Sequence, residues 1–273
     1  MELDESTSNV FVIGAGVSGL TAAYEISKYL PTIVIDRLPL IGGTHANYQN
    51  KLAISLKHKC DESGVRFLLG NTALRWAPSY QLLVVGPAGI QWLPGNHLVY
   101  AGGIRPSTQA ELGILGNRLG GVLACTVAKH FLESGVCLGH RVVILGNGNS
   151  AMHVGKDVAK QGNQVIVLSM DDLGERPGYA DEWWPQWTPL SIHGNGRVKE
   201  ILIGKNGMKE RILCDAVIFA ERMRPLRNID GAIFDHESNA VTFAQLVSDT
   251  PSLEQRSAYA SEIAIKLLTV LRR

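Results

Sequence analysis

This 273-residue sequence lacks an excess of positive or negative charge. It has 26 Lys and Arg residues and 25 Asp and Glu residues, which gives a net charge of +1. This balance argues against a general electrostatic attraction to nucleic acid or to acidic membranes. No apolar run approaches the ~18 residues of a membrane-spanning helix. The first residues, MELDESTSN, are polar and acidic, unlike a secretory signal. We therefore expect a cytoplasmic protein with no membrane span and no nucleic-acid partner.

Cysteine is scarce, and the four cysteines, Cys60, Cys125, Cys137 and Cys214, include no C-x-x-C pair. Without that pairing, zinc and a redox dithiol are both disfavoured, and we expect small core residues instead. The eight histidines show no metal-ligand spacing, and no Ser-His-Asp order or Walker sequence stands out. We predict no metal site, and we expect a bound cofactor to supply the chemistry.

Glycine, by contrast, is abundant at 29 residues, and two of its clusters mark an internal repeat. Residues 10–36 read VFVIGAGVSGLTAAYEISKYLPTIVID, and residues 142–169 read VVILGNGNSAMHVGKDVAKQGNQVIVLS. In each, an apolar strand leads through a glycine turn into a helix and then into a second apolar strand. Continuous apolar strands joined by a helix are typical of a parallel sheet covered on both faces. The sequence therefore predicts two βαβ units and an α/β fold.

Each half continues with short β-like runs, which we expect to form small antiparallel meanders. These runs are VRFLLG (65–70), LLVVG (82–86), IQWLP (90–94), VKEILIG (198–204) and KERIL (209–213). The last two are joined by Asn206-Gly207, a strong hairpin signal. Each half then closes on a related string, LVYAGGIRP at 98–106 and VIFAERMRP at 217–225. The matched order of these motifs predicts two related domains in one chain.

The first glycine motif carries the stronger functional prediction. Gly14-x-Gly16-x-x-Gly19 follows a strand and opens a helix, and Asp36 ends the next strand. Such glycines allow a tight turn, close approach of the backbone to a pyrophosphate, and close helix–strand packing. The helix N-terminus attracts phosphates, and Asp36 is placed to accept hydrogen bonds from ribose hydroxyls. The following Gly42-Gly43-Thr44 either bends along a cofactor or is a plain loop.

Together with the Ala101-Gly102 turn and a second glycine motif at Gly146, these features resemble the two-Rossmann flavoproteins of the pyridine nucleotide-disulfide oxidoreductase superfamily, with thioredoxin-reductase-like architecture. The resemblance covers nearly the whole chain and implies two Rossmann-like three-layer domains, the second inserted into the first. It implies an FAD-binding domain at 1–105 plus 230–273 and an NAD(P)-binding-like domain at 106–229. It also implies that FAD is held by Gly14, Gly16, Val17, Ser18, Gly19, Asp36, Arg37, Gly43, Thr44, Val65, Ala101 and Gly102.

One string narrows the resemblance. Residues 116–148, GNRLGGVLACTVAKHFLESGVCLGHRVVILGNG, look like the FAD subunits of dye-linked amino-acid dehydrogenase complexes, such as L-proline dehydrogenase, and of hydrogen cyanide synthase. Those members lack the redox-active disulfide, and here Ala128 stands where a partner thiol for Cys125 would be.

The resemblance implies an FAD-dependent oxidoreductase that works as one subunit of a dye-linked dehydrogenase complex, with a partner subunit holding the substrate. A homo-oligomer is also open. An NAD(P)H-dependent flavin oxidoreductase and a non-catalytic nucleotide-binding subunit are the alternatives.

The second glycine motif keeps its turn but departs from the family pattern around it. In Gly146-x-Gly148-x-x-Ala151 the final alanine is permitted. However, Ser169 stands where an acid would hold the ribose of NAD, and Glu221 stands where the first half has Gly102. A Glu side chain there would crowd a nucleotide and repel its phosphates. NAD(P), another adenine nucleotide such as ATP or ADP, and a purely architectural domain all remain open. The candidate contacts are Gly146, Asn147, Gly148, Asn149, Ser150 and Ala151.

Two further features of the sequence, the string after Val241 and the tryptophan-rich segment, leave their roles open. The family usually ends on an Ala-x-Gly-Asp turn at the FAD ribitol, but the string from Val241 has no Gly-Asp, and Asp249 comes late. An amphipathic helix is expected after it, over Leu253–Leu271. The segment DEWWPQW (181–187) is either an interface patch or a loop folded over the core.

Overall fold

The computed structural model describes residues 9–43, 51–171, 175–226, 229, 241–244, 246 and 252–271. Contacts divide the chain into two compact units. Unit 1 comprises Met1–Ile104, Pro225–Val247 and Pro251–Arg273, and unit 2 comprises Arg105–Arg224 and Ser248–Thr250.

The strands and helices follow one another in an order that repeats between the two units. They are β1 (Val10–Ile13), α1 (Val17–Ser27), β2 (Thr32–Asp36), α2 (Lys51–Glu62), β3 (Arg66–Leu69), β4 (Thr72–Ala77), β5 (Gln81–Gly86), β6 (Gly89–Pro94), β7 (His97–Tyr100), β8 (Ile104–Arg105), β9 (Val122–Ala124), α3 (Cys125–Glu133), β10 (Arg141–Leu145), α4 (Asn149–Lys160), β11 (Gln164–Ser169), β12 (Glu182–Pro185), β13 (Thr188–Asn195), β14 (Arg197–Lys205), β15 (Met208–Leu213), β16 (Ala216–Phe219), β17 (Arg224–Pro225), β18 (Val241–Phe243) and α5 (Leu253–Leu271).

Unit 1 is built on a five-stranded parallel sheet with strand order β18-β7-β1-β2-β3. Successive side chains point to opposite faces of the sheet, and both faces are covered, so every residue of the neighbouring strands β1 and β7 is buried. Val10 and Val12 pack in the core on the helix side, whereas Phe11 and Ile13 pack on the other side with side chains of the β4-β5-β6 meander. The predicted parallel sheet is confirmed.

Unit 2 repeats this arrangement. Its parallel sheet has the order β12-β11-β10-β16-β9. Val142 and Ile144 pack with the α3 and α4 side, and Val143 and Leu145 pack with the β13-β14-β15 meander. Both sheets are parallel and covered on both faces, which confirms the predicted α/β fold class.

The first meander is composed differently from the prediction. The run VRFLLG supplies β3, which pairs in parallel with β2 in the main sheet. The strand that pairs with β5 instead is β4, TALRWA, whose alternation is interrupted by a register shift between Ala73 and Arg75. In the second meander, β13 was not predicted and carries two such shifts. A bulge breaks the period-2 pattern on which strand prediction depends.

Other local predictions are confirmed. Asn206 and Gly207 have φ values of 50° and 81° and join β14 to β15, as expected of an Asn-Gly hairpin. The closing helix α5 spans Leu253–Leu271 and packs on α1. None of the helices within the described residues combines the length and the hydropathy of a membrane span.

The tryptophan-rich segment forms β12, an edge strand of the unit 2 sheet, and the turn after it. Trp183 packs against the core on the helix side, and Trp184 and Trp187 pack against the core on the meander side. The rings of Trp184 and Trp187 meet edge to face, with centroids 5.3 Å apart. These contacts favour the interpretation in which the segment covers the core.

Candidate nucleotide-binding site

The turn between β1 and α1 requires glycine at two of its three motif positions. Gly14 has a φ of +106°, and a Cβ on it would lie 2.3 Å from the Ala101 carbonyl oxygen. A Cβ on Gly19 would lie 1.8 Å from the Gly14 carbonyl oxygen. The turn is held because Gly14 N–H donates to Ile35 O over 2.8 Å. The backbone therefore passes close to its neighbours at these two residues, as the motif predicts.

The N-terminus of α1 is open to an anion. Gly16 is the N-cap residue in an extended conformation, and no side chain caps the helix. The N–H groups of Val17, Ser18 and Gly19, in the first helical turn, therefore keep their capacity to donate to an oxyanion. The first turn carries no acidic side chain that would compete for this position.

A second glycine pair packs on the turn. Gly42 N–H donates to Ala15 O over 2.8 Å, and a Cβ on Gly43 would lie 3.3 Å from the Gly16 Cα. Two bare backbones therefore meet here, and larger residues would fill the space between them. The predicted contact Thr44 lies outside the described residues.

The Asp36 carboxylate is tied to this turn. Its Oδ2 accepts the Ala15 N–H over 2.6 Å, and its Oδ1 accepts the Leu38 N–H over 2.8 Å. These bonds fix the carboxylate at the carboxyl end of β2. A carboxylate accepts about four hydrogen bonds, so it retains capacity for the hydroxyls of a ribose.

A cleft of about 50 Å³ opens beside Asp36 at the carboxyl edge of the sheet, where nucleotides bind in doubly wound folds. It is lined by Ile13, Gly14, Ile35, Asp36, Arg37, Asn71, Thr72, Ala73, Gly102 and Leu226. Of the predicted FAD contacts, Gly14, Asp36, Arg37 and Gly102 meet in this cleft.

Val65, which the resemblance implies as an FAD contact, does not line this cleft. It precedes β3, at the amino end of the sheet, and is buried in the core on the helix side. The residue at the carboxyl end is Asn71, whose N–H donates to Asp36 O over 2.9 Å and whose side chain donates to Leu69 O. Its position just after a strand of the parallel sheet was the available signal.

The turn after β7 closes the cleft. Ala101 N–H donates to Ile13 O over 2.8 Å, and a Cβ on Gly102 would lie 2.6 Å from the Tyr100 hydroxyl. That hydroxyl donates to the Leu226 carbonyl, and Leu226 N–H donates to Gly103 O over 2.8 Å. The Ala101-Gly102 turn is therefore packed between the first glycine turn and Leu226.

The strand β18 ends at the same edge. Ala244 N–H donates to Tyr100 O over 3.0 Å, so the chain leaves β18 level with the Ala101-Gly102 turn. The family's Gly-Asp turn would follow at this point. Asp249, the acid predicted to come late, lies outside the described residues.

The turn between β10 and α4 reproduces the backbone of the first turn. Gly146 has a φ of +111° and donates to Leu168 O over 2.8 Å. Gly148 is the extended N-cap residue of α4, and no side chain caps this helix either. Ala220 N–H donates to Leu145 O over 2.9 Å, as Ala101 does in unit 1. The predicted contacts from Gly146 to Ala151 form this turn and the first turn of α4.

The side chains around the second turn differ from those around the first. Ser169 is 0% exposed, and its hydroxyl donates to Asp171 O over 3.1 Å and accepts the Asp171 N–H over 3.2 Å. Glu221 is 8% exposed, and its Cβ lies 3.1 Å from where a Cβ on Gly146 would be. The acid that holds the first turn is thus replaced by a hydroxyl engaged locally, and Gly102 is replaced by a buried glutamate.

All four cysteines are free thiols. Burial raises the pKa of Cys125 to about 11, and that of Cys60 and Cys214 to about 12, so these three are thiols at neutral pH. Cys125 begins α3, and the buried Ala128 follows one turn later. Within the described residues, no cluster of three or more His, Cys, Asp or Glu side chains is arranged to hold a metal ion.

The sequence profile of the pyridine nucleotide-disulphide oxidoreductase family matches residues 8–183, more than half of the chain. The chain belongs to this family. Members of the pyridine nucleotide-disulphide oxidoreductase family are FAD-dependent oxidoreductases, and the superfamily predicted from the glycine motifs is confirmed. No protein with curated annotation matches the sequence.

Solved structures show the same fold. The match with L-proline dehydrogenase from P. horikoshii covers 97% of this chain and 55% of the dehydrogenase chain, with a TM-score of 0.65 and 18% identity. A NAD-dependent persulfide reductase from A. fulgidus matches 95% and 59%, with a TM-score of 0.69 and 15% identity. Thioredoxin reductase from Lactococcus lactis matches 98% and 100%, with a TM-score of 0.68 and 15% identity. The chain thus spans just over half of the first two proteins.

Proposed function

We propose that unit 1 binds FAD and that the chain is the flavin-bearing subunit of a dye-linked dehydrogenase complex of the amino-acid type. The observation that carries the proposal is the first glycine turn together with the Asp36 carboxylate that is fixed beside it. A Cβ on Gly14, Gly19 or Gly43 would meet another part of the turn or its neighbours within 3.3 Å. These glycines let the turn pack closely, and the uncapped first turn of α1 leaves N–H groups that can donate to a diphosphate.

Each part of the first site suits one part of the cofactor. The uncapped N–H groups after Gly16 suit the pyrophosphate, and the fixed Asp36 carboxylate suits the ribose hydroxyls. Arg37 and Asn71 line the same cleft and offer further donors. Bound FAD supplies the capacity to accept a hydride or electrons, whereas these residues supply position and electrostatics.

A thiol relay is disfavoured by the cysteines. Burial holds Cys125 in its thiol form, which is a poor nucleophile, and Ala128 stands one helical turn after it. These features support oxidoreduction through the flavin without a protein disulfide.

A partner subunit that holds the substrate is part of the proposal. Each of the two units has a parallel sheet with a glycine turn at its carboxyl edge, which is the architecture of a nucleotide-binding domain. We place the substrate pocket in a partner chain, as the resemblance to dye-linked dehydrogenase complexes implies.

Reconstitution of the purified full chain with FAD tests the proposal. We expect a flavin absorption spectrum that survives desalting and bleaches with dithionite. Addition of the partner subunit and an amino acid is then expected to reduce an artificial dye. A chain that retains no FAD contradicts the flavoprotein assignment, and rapid anaerobic bleaching by stoichiometric NADH favours the NAD(P)H-dependent alternative.

A further inference from the structure

The turn that closes the second glycine motif is built differently from its counterpart in unit 1. Ala101-Gly102-Gly103 in unit 1 corresponds to Ala220-Glu221-Arg222 in unit 2, because both alanine N–H groups bond to the strand that precedes the glycine turn. Gly103 has a φ of +91°, and Arg222 keeps this left-handed conformation with a φ of 49°. Arginine rarely adopts it, so the backbone of unit 2 retains a glycine-type turn with two large side chains attached.

Hydrogen bonds from Ser107 stabilise this turn. Its N–H donates to Glu221 O over 3.2 Å, and its hydroxyl donates to Arg222 O over 2.7 Å. The Ser107 hydroxyl also accepts a bond from the Arg224 guanidinium over 3.1 Å. Ser107 is buried, so these bonds hold the unusual conformation of Arg222 and fix where the Glu221 side chain begins.

The Cβ of Glu221 lies next to the second glycine turn. Its Cβ lies 3.1 Å from the position of a Cβ on Gly146, whereas in unit 1 the nearest atom of the matching residue is the bare Cα of Gly102, at 3.4 Å from a Cβ on Gly14. The side chain does not extend into solvent, since Glu221 is 8% exposed and its Oε2 is buried. A buried carboxyl group is thus attached to a Cβ that lies next to the second glycine turn, at the position where unit 1 has a bare glycine.

We infer that Glu221 closes the second glycine turn to the phosphates of a dinucleotide and is the residue that sets the ligand specificity of unit 2. The side chain takes up space beside the turn, and its ionised form repels a diphosphate of the same sign. Ser169 adds to the effect, because its hydroxyl is engaged with Asp171 and offers no carboxylate to a ribose. This inference concerns residues of unit 2 alone and does not rest on the proposed FAD site.

Titration of the full chain with NADH, followed by NADH fluorescence, tests the inference. Glu221→Gly restores the residue found in unit 1, and we expect it to bind NADH at least tenfold more tightly than the wild type. Unit 1 is identical in both proteins, so the difference reports on unit 2 whether or not FAD binds. Equal affinities in the two proteins overturn the inference.

Two further measurements keep the test decisive. Glu221→Ala removes both the bulk and the charge of the side chain but keeps a Cβ, and its matched control is Glu210→Ala on the exposed face of β15. If Glu221→Gly does not fold, tighter NADH binding by Glu221→Ala than by Glu210→Ala supports the inference, and equal binding overturns it. Adenosine, which lacks phosphates, is expected to bind the variants and the wild type alike. An equal rise for adenosine and NADH contradicts the role in excluding phosphates.

Discussion

The two units have the same backbone conformation at their glycine turns and differ in the side chains around those turns. Gly14 and Gly146 have φ values of +106° and +111°, and both N–H groups donate over 2.8 Å to the end of the neighbouring strand. Asp36 in unit 1 corresponds to Ser169 in unit 2, and Gly102 corresponds to Glu221. A Rossmann turn is therefore stable without the groups that recognise a nucleotide. The turn indicates the fold, and the residues around it indicate whether a ligand is bound.

We expect the largest effect on stability at the third position of the glycine motif, which is Gly19 in unit 1 and Ala151 in unit 2. Gly19→Ala places a Cβ 1.8 Å from the Gly14 carbonyl oxygen, so α1 must move away from the turn. We expect a loss of several kcal/mol in the free energy of unfolding, together with loss of FAD retention. Urea unfolding and the flavin spectrum measure the two effects.

The matched change in unit 2 is Ala151→Gly. Ala151 is already accommodated in α4, so this change should cost only about 1 kcal/mol, the intrinsic penalty of glycine in a helix. Similar losses for the two variants would show that the two helices pack on their turns in the same way.

The acid of the first turn is the next contrast. Asp36→Ala removes the acceptor for the Ala15 and Leu38 N–H groups as well as the proposed ribose contact. We expect FAD to bind about 10- to 100-fold more weakly, since a hydrogen bond to a charged group contributes about 1.5–3 kcal/mol. Equilibrium dialysis measures the affinity. Ser169→Ala, the matched change in unit 2, should leave FAD affinity unchanged, and an equal loss would contradict the separate roles of the two turns.

Both units were predictable from the sequence where short apolar runs and glycine spacing determine the outcome. The pairs of strands around Gly14 and Gly146 are continuous apolar segments, and a parallel sheet is the arrangement that buries them. Pairing between distant segments was not predictable. The run after Val65 joins the main sheet because Ile33 pairs with Arg66, a contact between residues far apart in sequence. For the same reason the sequence did not show that Asn71, at the opposite end of that strand from Val65, lines the cleft beside Asp36.

A smaller contrast concerns acid stability. His97 occupies the position next to Val10 in unit 1 that Ala216 occupies next to Val142 in unit 2. His97 is 1% exposed, and burial lowers its pKa to about 4. In the unfolded chain the pKa of His97 is 6.5. Between pH 4 and pH 6.5, His97 therefore binds a proton in the unfolded chain but not in the folded chain. The contribution of His97 to the free energy of unfolding is therefore highest above pH 6.5 and falls as the pH drops toward 4.

His97→Ala makes unit 1 resemble unit 2 and removes this dependence. For the wild type we expect about 2 kcal/mol less free energy of unfolding at pH 5 than at pH 7 from this residue. The variant loses the hydrogen bond between Nε2 and Thr242 Oγ1, so it should be less stable at pH 7, with a smaller difference between the two pH values. Urea unfolding at both pH values measures this, and an unchanged difference would assign the acid sensitivity to other groups.

The smallest effect is expected at Arg222, the residue of unit 2 that adopts the conformation of Gly103. Arg222→Gly removes the strain of a side chain at a φ of 49° but adds freedom to the unfolded chain, so a gain of less than about 1 kcal/mol in stability is expected. The Ser107 hydroxyl bonds to the carbonyl oxygen of Arg222, which glycine also has, so the turn should persist. Thermal unfolding measures the gain, and Arg222→Ala, which keeps a Cβ, is the control. If the two variants are equally stable, the left-handed backbone costs arginine nothing here, and the turn is held by Ser107 alone.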